Sequence, residues 1–458
     1  MCSKITVNKW QLKCSAKSKL IKGLRRDIRR LKKNRDKWKS KYRVLNSSVK
    51  LANLTHHQYP LELIWLGIYM RICLNLSLRG VSQSLAGFGL VMGLNLPKLH
   101  STTIRNWSLK YGHYCLNKSP QKGEYALICD ESIVIGQEQV LLVLAVPIGY
   151  KSYIKPLEMC AVQVLEIEVK SSWKSADIAL CLRRQLDKAG LEISYVISDN
   201  GAALNGAYKL CKLKKIDDCM HRMANVLKKL YGKDAAFLDL IKQMNLTRAR
   251  WVKSQYSLYL PPALRSKSRF HQLFTISEWG KEMLKKWAKM PEIVQNELIY
   301  LQEHALFIDE MYLINELIKA LSRILKSKGI TPRTYQECET ILKVAATQKD
   351  SRSIQEFVHQ MQIYLRQQQQ ILPDKGQILC SSDIIESMFG KFKNQKNTRE
   401  MLTENVLTIA AFGGNLPQKN LEEVQMACLE TKIKDIQKWK KEKTIPSIIT
   451  RKKQFKAA

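Results

Sequence analysis

A chain of 458 residues with 45% apolar side chains is long enough for two to four domains and can bury a sizeable core. Its formal charge of +36 points to a polyanionic partner, meaning DNA, RNA or an anionic membrane surface. Three classes are disfavoured. The apolar stretch 61–78 contains Glu62 and Arg71 and falls short of a membrane span. The basic N-terminus lacks the apolar run of a secretory signal. The 12 cysteines form no CxxC pair, so they read as reduced thiols and structural zinc is not expected.

Residues 1–50 carry 18 Lys and Arg against two Asp, a local net of +16, with Leu20, Leu24, Ile28 and Leu31 at helical spacing. The spacing predicts a basic helix over 13–45. It is either a solvated charged helix, self-pairing or not, or an arm lying along DNA phosphates. Residues 51–120 read as a small helical domain: a helix over 61–76, a helix opening at Ser77, a break at Pro97, and a helix capped by Ser101. Two short helices with Thr102, Thr103, Arg105 and Asn106 leading the second suit a helix-turn-helix, whose second helix meets base edges in the major groove. The connector is longer than the tight turn of that motif, and a plain packing domain is the competing reading.

From 121 to 232 the pattern changes. Strand-like runs fall at 125–135, 139–148 and 161–169, then a helix at 175–189, a strand at 192–198, a helix at 202–213 and a strand at 215–219. Three meandering strands followed by alternating units predict an α/β fold, a mixed sheet with helices on its faces. Residues 233–378 read as almost wholly helical, 379–416 as a return to the α/β domain on a helix around Glu386, and 417–458 as a basic tail with one helix over 421–442.

Three acidic residues stand out. Asp130 ends the apolar run Ala126-Leu127-Ile128-Cys129, Asp199 ends Ile193–Ser198, and Glu386 lies in the helical run Asp383–Phe392. The two Asp are 69 residues apart, and Glu386 follows 187 residues later. Two strand-borne aspartates and a helix-borne glutamate in this order resemble the catalytic residues of D-D-E transposases. Asp218-Cys219-Met220-His221 adds to the likeness, because such families often carry Cys or Asp, two residues, then His after the second Asp. The long second gap is similar to transposases with an α-helical insertion ahead of the glutamate helix, as in the hAT group and several bacterial insertion-sequence families.

The resemblance covers about 123–415. It implies an RNase H-like mixed sheet interrupted by a large all-α insertion, with a helical DNA-binding region before it. It implies Asp130, Asp199 and Glu386 as catalytic metal ligands, with His221 and Lys393 as auxiliary active-site residues. The expected cofactor is a pair of Mg²⁺ ions, for which Mn²⁺ can substitute. Hard carboxylate ligands select such ions, and crowded carboxylates stay ionised only beside cations. The expected partner is double-stranded DNA, both terminal inverted repeats and target, bound by a homodimer or higher oligomer without a membrane. A bacterial source implies a cytoplasmic, nucleoid-associated protein. A non-catalytic DNA-binding descendant and a structure-selective nuclease are the alternatives. Glu131 and Asp383 are neighbouring carboxylates of second rank.

Overall fold

The computed structural model describes residues 17–18, 20–39, 57–93, 99–135, 138–149, 155–264, 273–348, 351–371, 376–395, 403–414, 416, 421–446 and 448–457. The break at Pro97 lies outside them. The chain forms two compact units, one of residues 1–108 and 416–430, the other of 109–415 and 431–458. No helix among the described residues is long and apolar enough to cross a membrane.

The first unit holds α1 (residues 20–39), α2 (Leu61–Ile72), α3 (Leu78–Val91), the start of α4 (Ser101–Asn117), and α17 (Leu421–Glu430). Ile64, Ile68 and Ile72 recur at helical spacing on α2 and are at most 1% exposed. The Ser77 hydroxyl caps α3 by accepting the Gly80 amide at 2.9 Å. At α4, Ser101 is already helical, and the Thr103 and Ile104 amides donate to the His100 carbonyl instead.

The second unit is built on a sheet of β1 (Glu124–Ile135), β2 (Glu138–Pro147), β3 (Gln163–Lys170), β4 (Glu192–Ser198) and β5 (Lys215–Asp217), in the order β3-β2-β1-β4-β5. The β1–β2 and β2–β3 pairs are antiparallel; β1–β4 and β4–β5 are parallel. Parallel neighbours need a crossover, and the chain supplies α5 (Ser175–Ala189) before β4 and α6 (Ala202–Leu210) before β5. One face of the sheet buries Tyr125, Leu127, Cys129 and Val196 against Ile178 and Leu182 of α5 and Leu204, Ala207 and Tyr208 of α6. Burying each large aliphatic here contributes roughly 1.5–3 kcal/mol. Alternation then turns Ala126, Ile128 and Asp130 to the other face.

Between β5 and the last helices of the sheet domain come α7 (Cys219–Tyr231), α8 (Ala235–Trp251), α9 (Leu273–Lys285), α10 (Glu292–Glu297), α11 (Tyr300–Glu303), α12 (Ala305–Lys328), α13 (Pro332–Gln348) and α14 (Arg352–Ile371). Gly329 ends α12 at φ +65°, where a Cβ would lie 2.4 Å from the Ile378 carbonyl oxygen, so only glycine fits. Ile330 and Ile378 then exchange both backbone hydrogen bonds. The chain continues into α15 (Asp383–Gln395), α16 (Thr408–Phe412), α18 (Ile433–Lys443) and α19 (Ile448–Ala457).

The five strands and two crossover helices fall where the sequence pattern predicts, with three ends shortened by two or three residues. Met159–Ala161 forms a helical turn ahead of β3. Lys212 adopts φ +54° and stops α6. Asp218 caps α7 and so ends β5. The single tail helix expected over 421–442 is instead α17 and α18, interrupted at Thr431 and Lys432. A second helix start forms there, the Lys432 amide donating to the Asp435 carboxylate at 2.8 Å.

Candidate functional site

The register of the parallel pair fixes the height of both aspartates. Ile128 lies opposite Ile197, so Asp130, midway along β1, and Asp199, the residue after β4 ends, each two residues further on, reach the same level. Both follow the alternation onto the face turned away from α5 and α6. Each is steadied locally: the Asp130 carboxylate accepts the Glu131 amide at 2.8 Å, and that of Asp199 accepts the Gly201 amide at 2.9 Å.

Glu386 comes to this face on α15, which packs against β1. The segment before α15 is anchored there by the Leu379 amide, which donates to the Tyr195 hydroxyl at 2.9 Å. A second anchor is Asp218, 1% exposed. Its carboxylate accepts the Ser382 amide at 2.6 Å, the Ser382 hydroxyl at 2.9 Å and the His221 amide at 2.7 Å. The same carboxylate meets His221 Nδ1 at 3.1 Å, and His221 Nε2 lies 3.6 Å from Glu386 Oε1. Asp218 therefore ties the start of α7, the start of α15 and the imidazole beside Glu386 into one junction. Sequence reasoning placed Asp218 in a motif but gave it no role. The available signal was an Asp three residues ahead of a His at a helix start, which is cap spacing.

The electrostatics follow from this crowding. Burial pushes the Asp130 carboxyl up to about 7, Asp199 and Glu386 add to the rise, and the Glu131 amide opposes it. The hydrogen bond to Asp218 raises His221 to about 9 against the effect of its burial, with Glu386 and Asp199 contributing. Hydrogen bonds from His221 and Ser382 outweigh burial at Asp218 and hold it below the usual carboxylate range. Three carboxylates on one face, one of them raised in part by the other two, form a donor set that suits a hard divalent cation. Their oxygens do not all close to within 4.8 Å of one another, and Glu386 keeps 55% of its side chain exposed.

Among the described residues, the ligand atoms that do meet that distance belong to Glu166, Glu168 and Cys181. Cations already occupy this cluster. Arg184 reaches Glu166 at 3.1 Å and Glu168 at 2.9 Å, and Lys443 of α18 reaches them at 2.5 and 3.2 Å. Burial and the two carboxylates push the Cys181 thiol far up, so it stays protonated. The group is an ion-paired clamp, not a metal centre.

The other residues picked from the sequence are placed as follows. Lys393 donates to the Ser132 hydroxyl at 3.1 Å, two residues beyond Asp130 on β1. Asp383 is taken up by Lys326 of α12 at 2.5 Å. Glu131 is raised by burial and then by Asp199. In the first unit, Thr102 is exposed at the start of α4 with its hydroxyl 2.7 Å from His100 Nδ1, and Thr103 and Asn106 are half-buried. Arg105 is half-buried too, its Nε buried and without a hydrogen-bond partner among the described residues.

The second unit is thus an α/β domain with a mixed five-stranded sheet and an acidic site on one face. No protein-family model and no curated protein matches the chain. A solved structure similar to it is the Drosophila P element transposase strand transfer complex, with 13% identity and a TM-score of 0.41 over 81% of this chain and 94% of that one.

Proposed function

We propose that this protein is a D-D-E transposase, with an RNase H-like catalytic domain, that binds the ends of its element and carries out Mg²⁺-dependent DNA cleavage and strand transfer. The observation that carries the reading is the placement of Asp130 and Asp199 level on adjacent parallel strands, with Glu386 brought to the same face and the Asp130 carboxyl raised to about 7 by burial and by the other two. On this reading Asp130, Asp199 and Glu386 would hold the metal ions, which would supply activation of water or a 3′-hydroxyl and stabilisation of the leaving oxygen. His221, fixed by Asp218, orients Glu386; Lys393, anchored at Ser132, supplies a cation for a phosphate near the cut. The net charge of +36 supports a DNA partner.

The test uses a supercoiled plasmid carrying the DNA that flanks the gene. With Mg²⁺ the protein is expected to nick it. Asp130→Asn, Asp199→Asn and Glu386→Gln each remove a ligand charge with little change in volume. Each should cut cleavage to below about one-hundredth while leaving DNA binding in place. Cleavage retained by one variant would remove that residue from the site, and cleavage retained by all three would sink the reading.

A further inference from the structure

Glu386 is more than half exposed, so packing alone does not fix its carboxylate, and its place is set by the first turn of α15. A metal ligand has to be held to within about 0.5 Å and 10–20°. On one side that turn has little to lean on. A cavity of about 170 Å³ opens against it, lined by Pro156, Leu157, Ile384 and Ser387 and by the Lys326–Asp383 pair. Two polar grips act where packing is missing. Asp218, at the start of α7, holds Ser382. Lys326, near the end of α12, holds Asp383, with Nζ 2.5 Å from the carboxylate.

Lys326 stands on a firm base. Leu321 and Leu325 beside it are at most 1% exposed, and α12 packs against α7, α9, α13 and α14. The end of α12 also meets the approach to α15. The Gln377 side-chain amide donates to the Lys328 carbonyl at 2.7 Å, and Ile378 pairs with Ile330. Both charges sit where helix dipoles favour them: Lys326 in the last turn of α12, Asp383 in the first turn of α15. Asp383 and Glu386 are three residues apart, so they are neighbours on the helix surface.

We propose that Lys326 is a positioning residue for the third carboxylate. Through Asp383 it fixes the rotation of α15 about its axis, while Asp218 fixes where the helix starts, and together they set where Glu386 stands relative to Asp130 and Asp199. The inference rests on the reading of Glu386 as a metal ligand. It makes the helices between β5 and α15 part of the site's support, because the grip comes from α12. The pair itself adds little to stability, since its side chains are 26 and 36% exposed. Loss of the grip therefore shows in metal binding before it shows in unfolding.

The experiment titrates Mn²⁺ into the full chain without DNA and measures free ion by electron paramagnetic resonance. The site is the binding that Glu386→Gln removes. Amide hydrogen exchange over α15 is followed in the same chains without metal. Lys326→Met should lower the affinity of that site about tenfold and speed exchange in the first turn of α15, with the urea midpoint nearly unmoved. Asp383→Asn should do the same, and the double variant should be no worse than either single one, because all three lose one contact. Lys326→Arg keeps the charge and should restore wild-type affinity. Lys319→Met, which releases Glu278 and Glu316 elsewhere, should change neither readout. A wild type without a site that Glu386→Gln removes overturns the metal reading and this inference with it. A wild type that has the site, with equal affinity in Lys326→Met, overturns this inference alone. So do losses that add in the double variant, since the two residues would then act separately.

Discussion

Asp218 shows how much one buried carboxylate can organise. At 1% exposure it is ionised, because four donors from His221 and Ser382 surround it. Asp218→Ala would strand those donors where water has little access. The expected loss of unfolding free energy is about 3 kcal/mol, read by urea denaturation. A loss below about 1 kcal/mol would show that other contacts hold the junction. This is also where the sequence was least informative. Asp130, Asp199 and Glu386 stand out because each ends or punctuates an apolar pattern. Asp218 and Asp383 read alike as polar residues near helix starts, and only the fold gives the first to His221 and the second to Lys326.

Among the elements, α18 is fixed to the edge strand β3 by charge. Lys443 is 15% exposed and faces Glu166 and Glu168, which are 2 and 11% exposed as side chains. Burial raises Glu168, but Lys443, Arg184 and Lys170 more than offset it, so its folded pKa is lowered. A carboxyl lowered on folding contributes stability above its ordinary pKa near 4.5 and loses it as the pH falls below that value. Lys443→Met should therefore cost about 2–3 kcal/mol at neutral pH, and the difference from wild type should shrink below pH 4.5, measured by denaturant melts across that range. A penalty that does not change with pH would mean that the lysine stem, not its charge, holds the helix. The strands were legible because each is a short apolar run between turn residues, and alternation gave the faces. This clamp was not, since Glu166 and Glu168 lie in a run that reads simply as strand, and Arg184 and Lys443 arrive from 16 to 277 residues away. The division of the tail into α17 and α18 was hidden for a related reason. The break at Thr431 and Lys432 falls where the chain passes from one compact unit to the other, and no proline or glycine marks it.

At the scale of the whole molecule, the charge is unevenly spread. Residues 1–50 hold a net +16 of the total +36. If the protein binds DNA as proposed, each phosphate neutralised adds about −0.9 to the slope of log affinity against log salt concentration. Removing residues 1–50 should flatten that slope and weaken binding, as fluorescence anisotropy on a duplex at several salt concentrations would show. An unchanged slope would show that the arm makes no phosphate contacts and serves assembly or nothing. The division into two units is only partly visible in the sequence. The change from helical to strand periodicity falls near residue 121, whereas the boundary after residue 108 lies within α4, and nothing local shows it or that 416–430 returns to the first unit.

The hydrogen bond from the Cys219 amide to the Cys380 carbonyl, 2.8 Å long, lies beside the Asp218–Ser382 contact, which joins residues 164 apart in sequence. The helices from α7 to α14 thus leave the sheet and return to it at nearly one point. A loop closed at its base can change length cheaply, since doubling it adds only about 0.6 kcal/mol of closure entropy. The third carboxylate is therefore insulated from its own remoteness along the chain: a change of length within that interval leaves Glu386 at the same address so long as Lys326 of α12 still meets Asp383 and Ile330 still pairs with Ile378.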